Sequence, residues 1–160
     1  MATTNETVLS LQDQFAPNQI CFGCGPANLQ GLRVKSFVQG DRVVATFDPQ
    51  GHHQGFQGMI SGGIIGTLFD CHMNWTAAWH LMQASGGDEP PCTVTGQFQV
   101  KFQAPTPAGY LLHLESRLIE SGRRKAEVAV TLTANDQLTA TGQGVFIAVK
   151  EGHPAFNKWS

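Results

Sequence analysis

The chain has 160 residues, of which 41% are hydrophobic and only 14% are charged, whereas an ordinary soluble domain carries about 25% charged residues. This length is typical of one domain with its own hydrophobic core, and the apolar content excludes an intrinsically disordered chain. The net charge of −2 argues against broad nucleic-acid binding, which depends on clustered positive charge. So little charge predicts that part of the surface is covered, most simply in a homo-oligomer.

The N-terminal part of the chain is polar and has no apolar stretch of the kind found in signal peptides. We interpret residues 1–19 as a flexible or short helical lead. No run of about 18 apolar residues occurs, so no membrane span is predicted. Together these features predict a cytoplasmic protein with reduced thiols.

Two of the four cysteines, Cys21 and Cys24, form a CxxC pattern. A zinc ribbon would require a second pair of this kind, and Cys71 and Cys92 are too far apart in sequence to supply one. We therefore expect a tight turn with small apolar thiols, a metal or redox role being the alternative. No metal ion and no cofactor is assigned to the chain.

Two strands are predicted in the first third of the chain. Residues 32–38 alternate apolar and polar side chains, which is typical of a strand with one buried face. Gly40 and Asp41 suit a hairpin turn, and residues 42–47 form the second strand. Residues 48–60 are predicted to be a loop.

One long helix is predicted from about Ser61, a suitable N-cap residue, to Ala84. Its sequence is apolar on nearly every face, which indicates a buried helix, and it is too polar to cross a bilayer. Four more strands are predicted after it, with short connections that favour antiparallel pairing: residues 93–102, 110–119, 126–133 and 138–149. The predicted fold is therefore α+β, in the order ββαββββ, with one long sheet wrapped round a central helix.

The buried helix carries one carboxylate, Asp70. Because burial of an unpartnered carboxylate is costly, such a residue either has a structural partner or acts chemically, as a general base or nucleophile. Gly62 and Gly63 begin the same helix, where exposed backbone amides and the helix dipole suit a developing oxyanion; close packing is the alternative. Gly62 and Asp70 are about 12 Å apart along the axis. We therefore predict a site shared between two antiparallel helices of a dimer.

The segment His53–Asp70, with the sequence HQGFQGMISGGIIGTLFD, resembles the central motif of hot-dog-fold acyl-CoA thioesterases of the PaaI type. The run CFGCG at 21–25, with Asn28 and Gly31-Leu32 after it, resembles that family as well. So does the stretch from Thr95 to Phe102 that ends at Pro105. The resemblance implies a hot-dog domain over residues 20–150, followed by a C-terminal tail over 151–160.

The resemblance also implies roles for single residues. Asp70 would be the general base or nucleophile, the Gly62 amide would polarise the thioester carbonyl, and the Thr95 hydroxyl would help to hold the attacking water. The chain departs from the family at Ser61, where His is usual, and at Gly55, where some members have Asn. We predict a substrate-binding set that combines the motif with a basic turn whose cations suit the phosphates of coenzyme A: His53, Gly55, Gly58, Ser61, Gly63, Arg123, Arg124 and Lys125. A structural turn bond at His53 and a solvated turn at the cations are the alternatives.

The predicted function is hydrolysis of an acyl-CoA or aryl-CoA thioester to the free acid and coenzyme A. The predicted assembly is a homodimer or a dimer of dimers. One alternative is a hot-dog hydratase or dehydratase, which would pair His53 with Asp70. The other is a non-catalytic module that binds acyl-CoA or a small aromatic ligand.

Overall fold

The computed structural model describes residues 7–159, which form one six-stranded antiparallel sheet around a long helix. The elements in chain order are α1 (Leu11–Phe15), β1 (Phe37–Gln39), β2 (Arg42–Phe47), β3 (Gln54–Phe56), β4 (Met59–Ile60), α2 (Gly62–Ser85), β5 (Thr93–Phe102), β6 (Leu112–Ser121), β7 (Lys125–Ala134) and β8 (Gln137–Ala148). The main sheet has the order β1-β2-β6-β7-β8-β5, and β3 pairs only with β4. The predicted sheet wrapped round one helix is confirmed.

Helix α2 begins after the predicted N-cap and ends at Ser85, one residue beyond the predicted end. The Ser61 hydroxyl accepts a hydrogen bond from the Gly63 amide, and Gly86 ends the helix in the left-handed region with φ 67°, as is common after a last helical turn. Large side chains of the helix, such as Phe69 and Trp75, are almost fully buried against the sheet, where Phe146 of β8 is also fully buried. The core therefore lies between α2 and the concave face of the sheet.

The predicted strand over residues 32–38 is wrong for its first five residues, because β1 begins only at Phe37. The backbone of that segment bonds elsewhere: Val34 donates to the Gly23 carbonyl, and the Ser36 carbonyl accepts from Leu11. Arg33 also has a positive φ of 52°, which interrupts an extended chain. Apolar and polar side chains alternate in this segment although its backbone pairs with no strand. The alternation alone therefore predicts a strand where none forms.

Other boundaries and pairings also differ from the prediction. The predicted loop 48–60 contains a short 3-10 turn, Gly51–His53, and the β3–β4 hairpin. Strand β6 is displaced toward the C-terminus, since residues 110–119 were predicted and Leu112–Ser121 form it. Strand β5 pairs with β8 rather than with β6, so it forms an edge of the main sheet.

Segments near both ends of the described chain pack against the body of the protein. Helix α1 has the buried residues Leu11 and Gln12, and Trp159 stacks on Trp75 with ring centroids 4.3 Å apart. Residues 1–6 of the predicted lead lie outside the described residues, and the division at 19 and 150 stays a prediction. Among residues 7–159, no helix combines the length and apolar character needed to span a membrane.

A buried chain of hydrogen bonds joins α1 to α2 and β2. Gln12 Nε2 donates to Ser36 Oγ at 3.0 Å, and the Ser36 hydroxyl lies 2.8 Å from His72 Nδ1. His72 Nε2 lies 3.1 Å from the Val43 carbonyl. Because the carbonyl can only accept, Nε2 carries the proton and Nδ1 accepts from Ser36, so the neutral imidazole satisfies every group in the chain.

This burial predicts a pH dependence of stability. Desolvation lowers the pKa of the fully buried His72 from 6.5 to about 4. The unfolded chain therefore binds one more proton between these values, and stability is lost as the pH falls from about 6.5 to about 4. The loss from this group is roughly 3 kcal/mol.

Urea unfolding at several pH values would measure it. His72→Gln removes the titrating group, so the free energy of unfolding of this variant should fall less steeply over the same range. Equal slopes in the two proteins would contradict the prediction.

Candidate active site

The structure brings two of the predicted catalytic residues, Asp70 and Thr95, into direct contact. Asp70 lies on α2, and the Thr95 hydroxyl of β5 donates to Asp70 Oδ1 at 2.6 Å. The β5–β8 pairing shifts register between Thr95 and Gln97, and such bulges re-aim a side chain locally. The bulge places the hydroxyl where it can orient the carboxylate.

The environment of Asp70 makes its carboxylate a stronger base than usual. Partial burial is the main cause and raises its pKa, the Thr95 hydrogen bond lowers it, and the nearby charge of Cys21 raises it. The net pKa lies above the ordinary value of 3.8. A carboxylate whose pKa is raised in this way, with one neutral partner, is suited to act as a general base.

The other predicted feature, the N-terminus of α2, faces a cleft. The Gly63 amide donates to the Ser61 hydroxyl at 3.3 Å, whereas no hydrogen bond among residues 7–159 uses the Gly62 amide. Both glycines are exposed. Gly62 therefore offers a free donor at the positive end of the helix dipole.

The cleft has a volume of about 730 Å³, which is within the range of small-molecule sites. Its walls are mainly apolar, and they include the predicted residues Gly55, Ser61 and Gly62 together with Phe56, Met59, Ile60, Ile65, Phe102, Gln103, Ala104, Pro105 and Thr106. Gly58 is not among them, because it forms the β3–β4 turn with φ 82°. The Gly62 amide thus opens into a space suited to an apolar acyl or aryl group.

Asp70 and the cleft are far apart within one chain. Asp70 and Gly62, which lines the cleft, are eight residues apart on α2, or about 12 Å along the helix axis. Thr95 likewise lies near the start of β5, whereas Phe102, at its end, lines the cleft. A single protomer therefore does not place the carboxylate and the free amide on one reacting carbonyl.

His53 is used by the turn that precedes the helix. Its Nδ1 accepts a hydrogen bond from the Gln50 amide at 2.9 Å, and its ring packs against Phe47 and His52. Burial, and then the charge of His52, lower the pKa of His53. The His53 side chain is not part of the cleft wall. Its contacts agree with the alternative interpretation, a hydrogen bond that stabilises the turn.

The basic turn lies at the end of the sheet that carries Thr95. Arg123, Arg124 and Lys125 are exposed, and Arg124 donates to the Ala148 carbonyl at 2.6 Å. Ala148 pairs with Thr93 of β5, two residues from Thr95. Within residues 7–159 none of the three cations forms an ion pair, so their charge is available to an anion.

Sequence reasoning missed two features of this region. Phe98 and Phe102, which lie on the predicted strand 93–102, are 40% and 55% exposed. Cys71 lies beside Cys21 and Cys24, a contact for which the sequence analysis made no prediction. No local sequence pattern predicts either feature, since both depend on contacts between segments that are distant in sequence.

Comparison with known proteins gives one consistent family. The model of the thioesterase superfamily matches residues 57–141. A thioesterase superfamily protein from Shewanella loihica is 30% identical, with a TM-score of 0.63, and the match covers 78% of this chain and 98% of that protein. No curated protein matches the chain.

Two more distant structures share the fold. The Streptococcus mutans protein smu.793, solved with acetyl CoA bound, is 21% identical with a TM-score of 0.59, and 72% of this chain and 88% of that protein are covered. The E. coli PaaI protein from the phenylacetic acid degradation operon is 15% identical with a TM-score of 0.61, and 74% and 81% are covered. The predicted hot-dog fold is confirmed, and the chain belongs to the thioesterase superfamily.

Proposed function

We propose that this protein hydrolyses acyl-CoA or aryl-CoA thioesters to the free acid and coenzyme A, as a thioesterase of the PaaI type. The proposal depends on two features of helix α2. Asp70 of this helix accepts a hydrogen bond from Thr95, and the free amide of Gly62, at the N-terminus of the helix, opens into an apolar cleft. The acetyl CoA bound to smu.793 supports coenzyme A as the carrier.

The chemistry follows from these two groups. Asp70 accepts a proton from water, and the oxygen attacks the thioester carbon, while the Gly62 amide stabilises the negative charge that develops on the carbonyl oxygen. Collapse of the intermediate breaks the carbon–sulfur bond, and the proton held by Asp70 passes to the departing thiolate. Direct attack by the Asp70 carboxylate, with an anhydride that water then cleaves, uses the same groups.

The two groups belong to different protomers in this proposal. A two-fold axis that lays the α2 helices antiparallel would bring Asp70 of one copy to Gly62 of the other. Strand β5 supports such an axis, because it is an edge strand with exposed aromatic side chains, and uncovered edges favour pairing with another chain. Pairing of these dimers into a tetramer is the larger assembly we propose.

The apolar cleft and the basic turn are proposed to bind different portions of the substrate. The apolar cleft would hold the acyl or aryl group, while Arg123, Arg124 and Lys125 would hold the phosphates of coenzyme A near the Asp70 end. A hydratase would require His53 beside the carboxylate, but its ring accepts from Gln50 and lies outside the cleft wall. The geometry therefore favours hydrolysis.

The first test removes the base. Asp70→Asn keeps the shape of the side chain but cannot accept the proton, so we expect turnover to fall about 10²–10⁴-fold. A panel of acyl-CoA and aryl-CoA thioesters with detection of the free thiol measures this loss. Unchanged turnover would discard Asp70, and wild-type binding without any thiol release would favour a non-catalytic module.

The second test removes the amide donor. Proline is tolerated at the first position of a helix but has no N–H, so Gly62→Pro should lower kcat about 10²–10³-fold. Gly62→Ala is the matched control. Like proline, alanine adds a Cβ, which would lie 3.2 Å from the Phe102 ring, but alanine retains the N–H donor. Similar losses in both variants would mean that crowding, not the amide, explains the effect.

The third test asks whether the site is shared. In a mixed dimer of Asp70→Asn and Gly62→Pro chains, one of the two sites combines an intact Asp70 with an intact Gly62. Equal mixing after dissociation should therefore restore roughly a quarter of wild-type turnover per chain. No recovery, with mixed dimers demonstrated by native mass spectrometry, would place the site within one protomer.

The fourth test concerns Thr95. Thr95→Val removes the hydroxyl that orients Asp70 with little change in volume, and we expect kcat to fall about tenfold or more. Thr95→Ser, which retains the hydroxyl, should recover most of the rate. Equal kcat in the Val and Ser variants would exclude the hydrogen bond as the cause.

A further inference from the structure

Three cysteine thiols lie close together where the turn at residues 21–25 approaches helix α2. The Sγ atoms of Cys21, Cys24 and Cys71 all lie within 4.8 Å of one another, and those of Cys21 and Cys71 are 3.7 Å apart. None of the three forms a disulfide. Cys24 and Cys71 are buried and Cys21 is partly exposed, so this thiol cluster lies at the edge of the core.

The backbone around the thiol cluster is shaped to bring the sulfurs together. A β-carbon on Gly23 would lie 2.3 Å from Cys71 Sγ, and one on Gly25 would lie 2.4 Å from the Cys21 nitrogen. Glycine is therefore required at both positions for the turn to close and to approach α2. The Gly25 amide donates to the Cys21 carbonyl at 2.8 Å, which closes the turn around the two cysteines.

The spacing fits a tetrahedral metal ion. Zinc–sulfur bonds of about 2.3 Å in tetrahedral geometry separate two sulfurs by about 3.8 Å, close to the observed 3.7 Å between Cys21 and Cys71. Thiolate ligands select zinc and other soft or borderline ions rather than magnesium or calcium. A CxxC pair on a turn, completed by a cysteine from a rigid helix, is a compact set of such ligands.

We propose that Cys21, Cys24 and Cys71 bind a zinc ion that joins the turn at residues 21–25 to helix α2. Among residues 7–159, no fourth His, Cys, Asp or Glu ligand atom joins the group, so the fourth position is left to water or an exogenous ligand. Because the ligands bind as thiolates, zinc uptake releases protons from thiols that are protonated in the free protein.

The test measures metal content directly, without substrate. Untagged, fully reduced full-length protein is incubated with Zn²⁺, freed of excess ion by gel filtration and analysed by mass spectrometry for zinc per chain. We expect about one zinc per chain in the wild type and at least about tenfold less zinc per chain in Cys21→Ser, Cys24→Ser and Cys71→Ser. Substitution with Co²⁺ should give strong thiolate-to-cobalt charge-transfer absorption in the wild type and little or none in these three variants.

Cys92→Ser is the matched control. Its thiol donates to the Ala155 carbonyl at 3.0 Å and lies outside the thiol cluster, so this variant should bind zinc as the wild type does. Circular dichroism checks folding, and if buried Cys71→Ser unfolds, the partly exposed Cys21→Ser decides. The proposal is overturned if reduced wild type binds no zinc, if folded Cys21→Ser retains it, or if Cys92→Ser loses it equally.

Discussion

The whole molecule depends on the enclosure of one long helix by a sheet. Once α2 is surrounded, a polar group that it carries is costly to bury unless it finds a hydrogen-bond partner within the fold. His72 is completely satisfied by Ser36 and the Val43 carbonyl, and its role is structural. Asp70 has a single neutral partner, Thr95, and stays partly open to solvent. The same helix therefore supplies a rigid scaffold and the carboxylate to which the proposed function assigns the role of base.

The distribution of the proposed site along α2 links catalysis to assembly. The free amide of Gly62 and the carboxylate of Asp70 are separated by about 12 Å of helix, which one substrate carbonyl cannot bridge. The exposed aromatic side chains of β5 and the unpaired edge of that strand lie beside both groups. A second copy placed there would cover an apolar surface and complete the chemistry at the same time.

Local patterns in the sequence predicted the parts of the structure that depend on local forces. The N-cap at Ser61 and the bounds of β5 agree with the prediction because capping and side-chain alternation are properties of neighbouring residues. The strand predicted from Leu32 failed at its first residues because its backbone bonds to distant segments. Thr95 was included through family resemblance as a residue that holds the attacking water, and its hydrogen bond to Asp70 was not predicted. The approach of Cys71 to the CxxC turn was not predicted either, since 50 residues separate Cys71 from Cys21.

The stack of Trp159 on Trp75 has an optical consequence. The two indoles, with centroids 4.3 Å apart and planes inclined by 29°, are close enough for their electronic transitions to couple. One chromophore belongs to the central helix and the other to the last residues of the described chain. Near-ultraviolet circular dichroism therefore offers an intrinsic label for the docking of this terminal segment, readable without dyes, substrate or any change to the sequence.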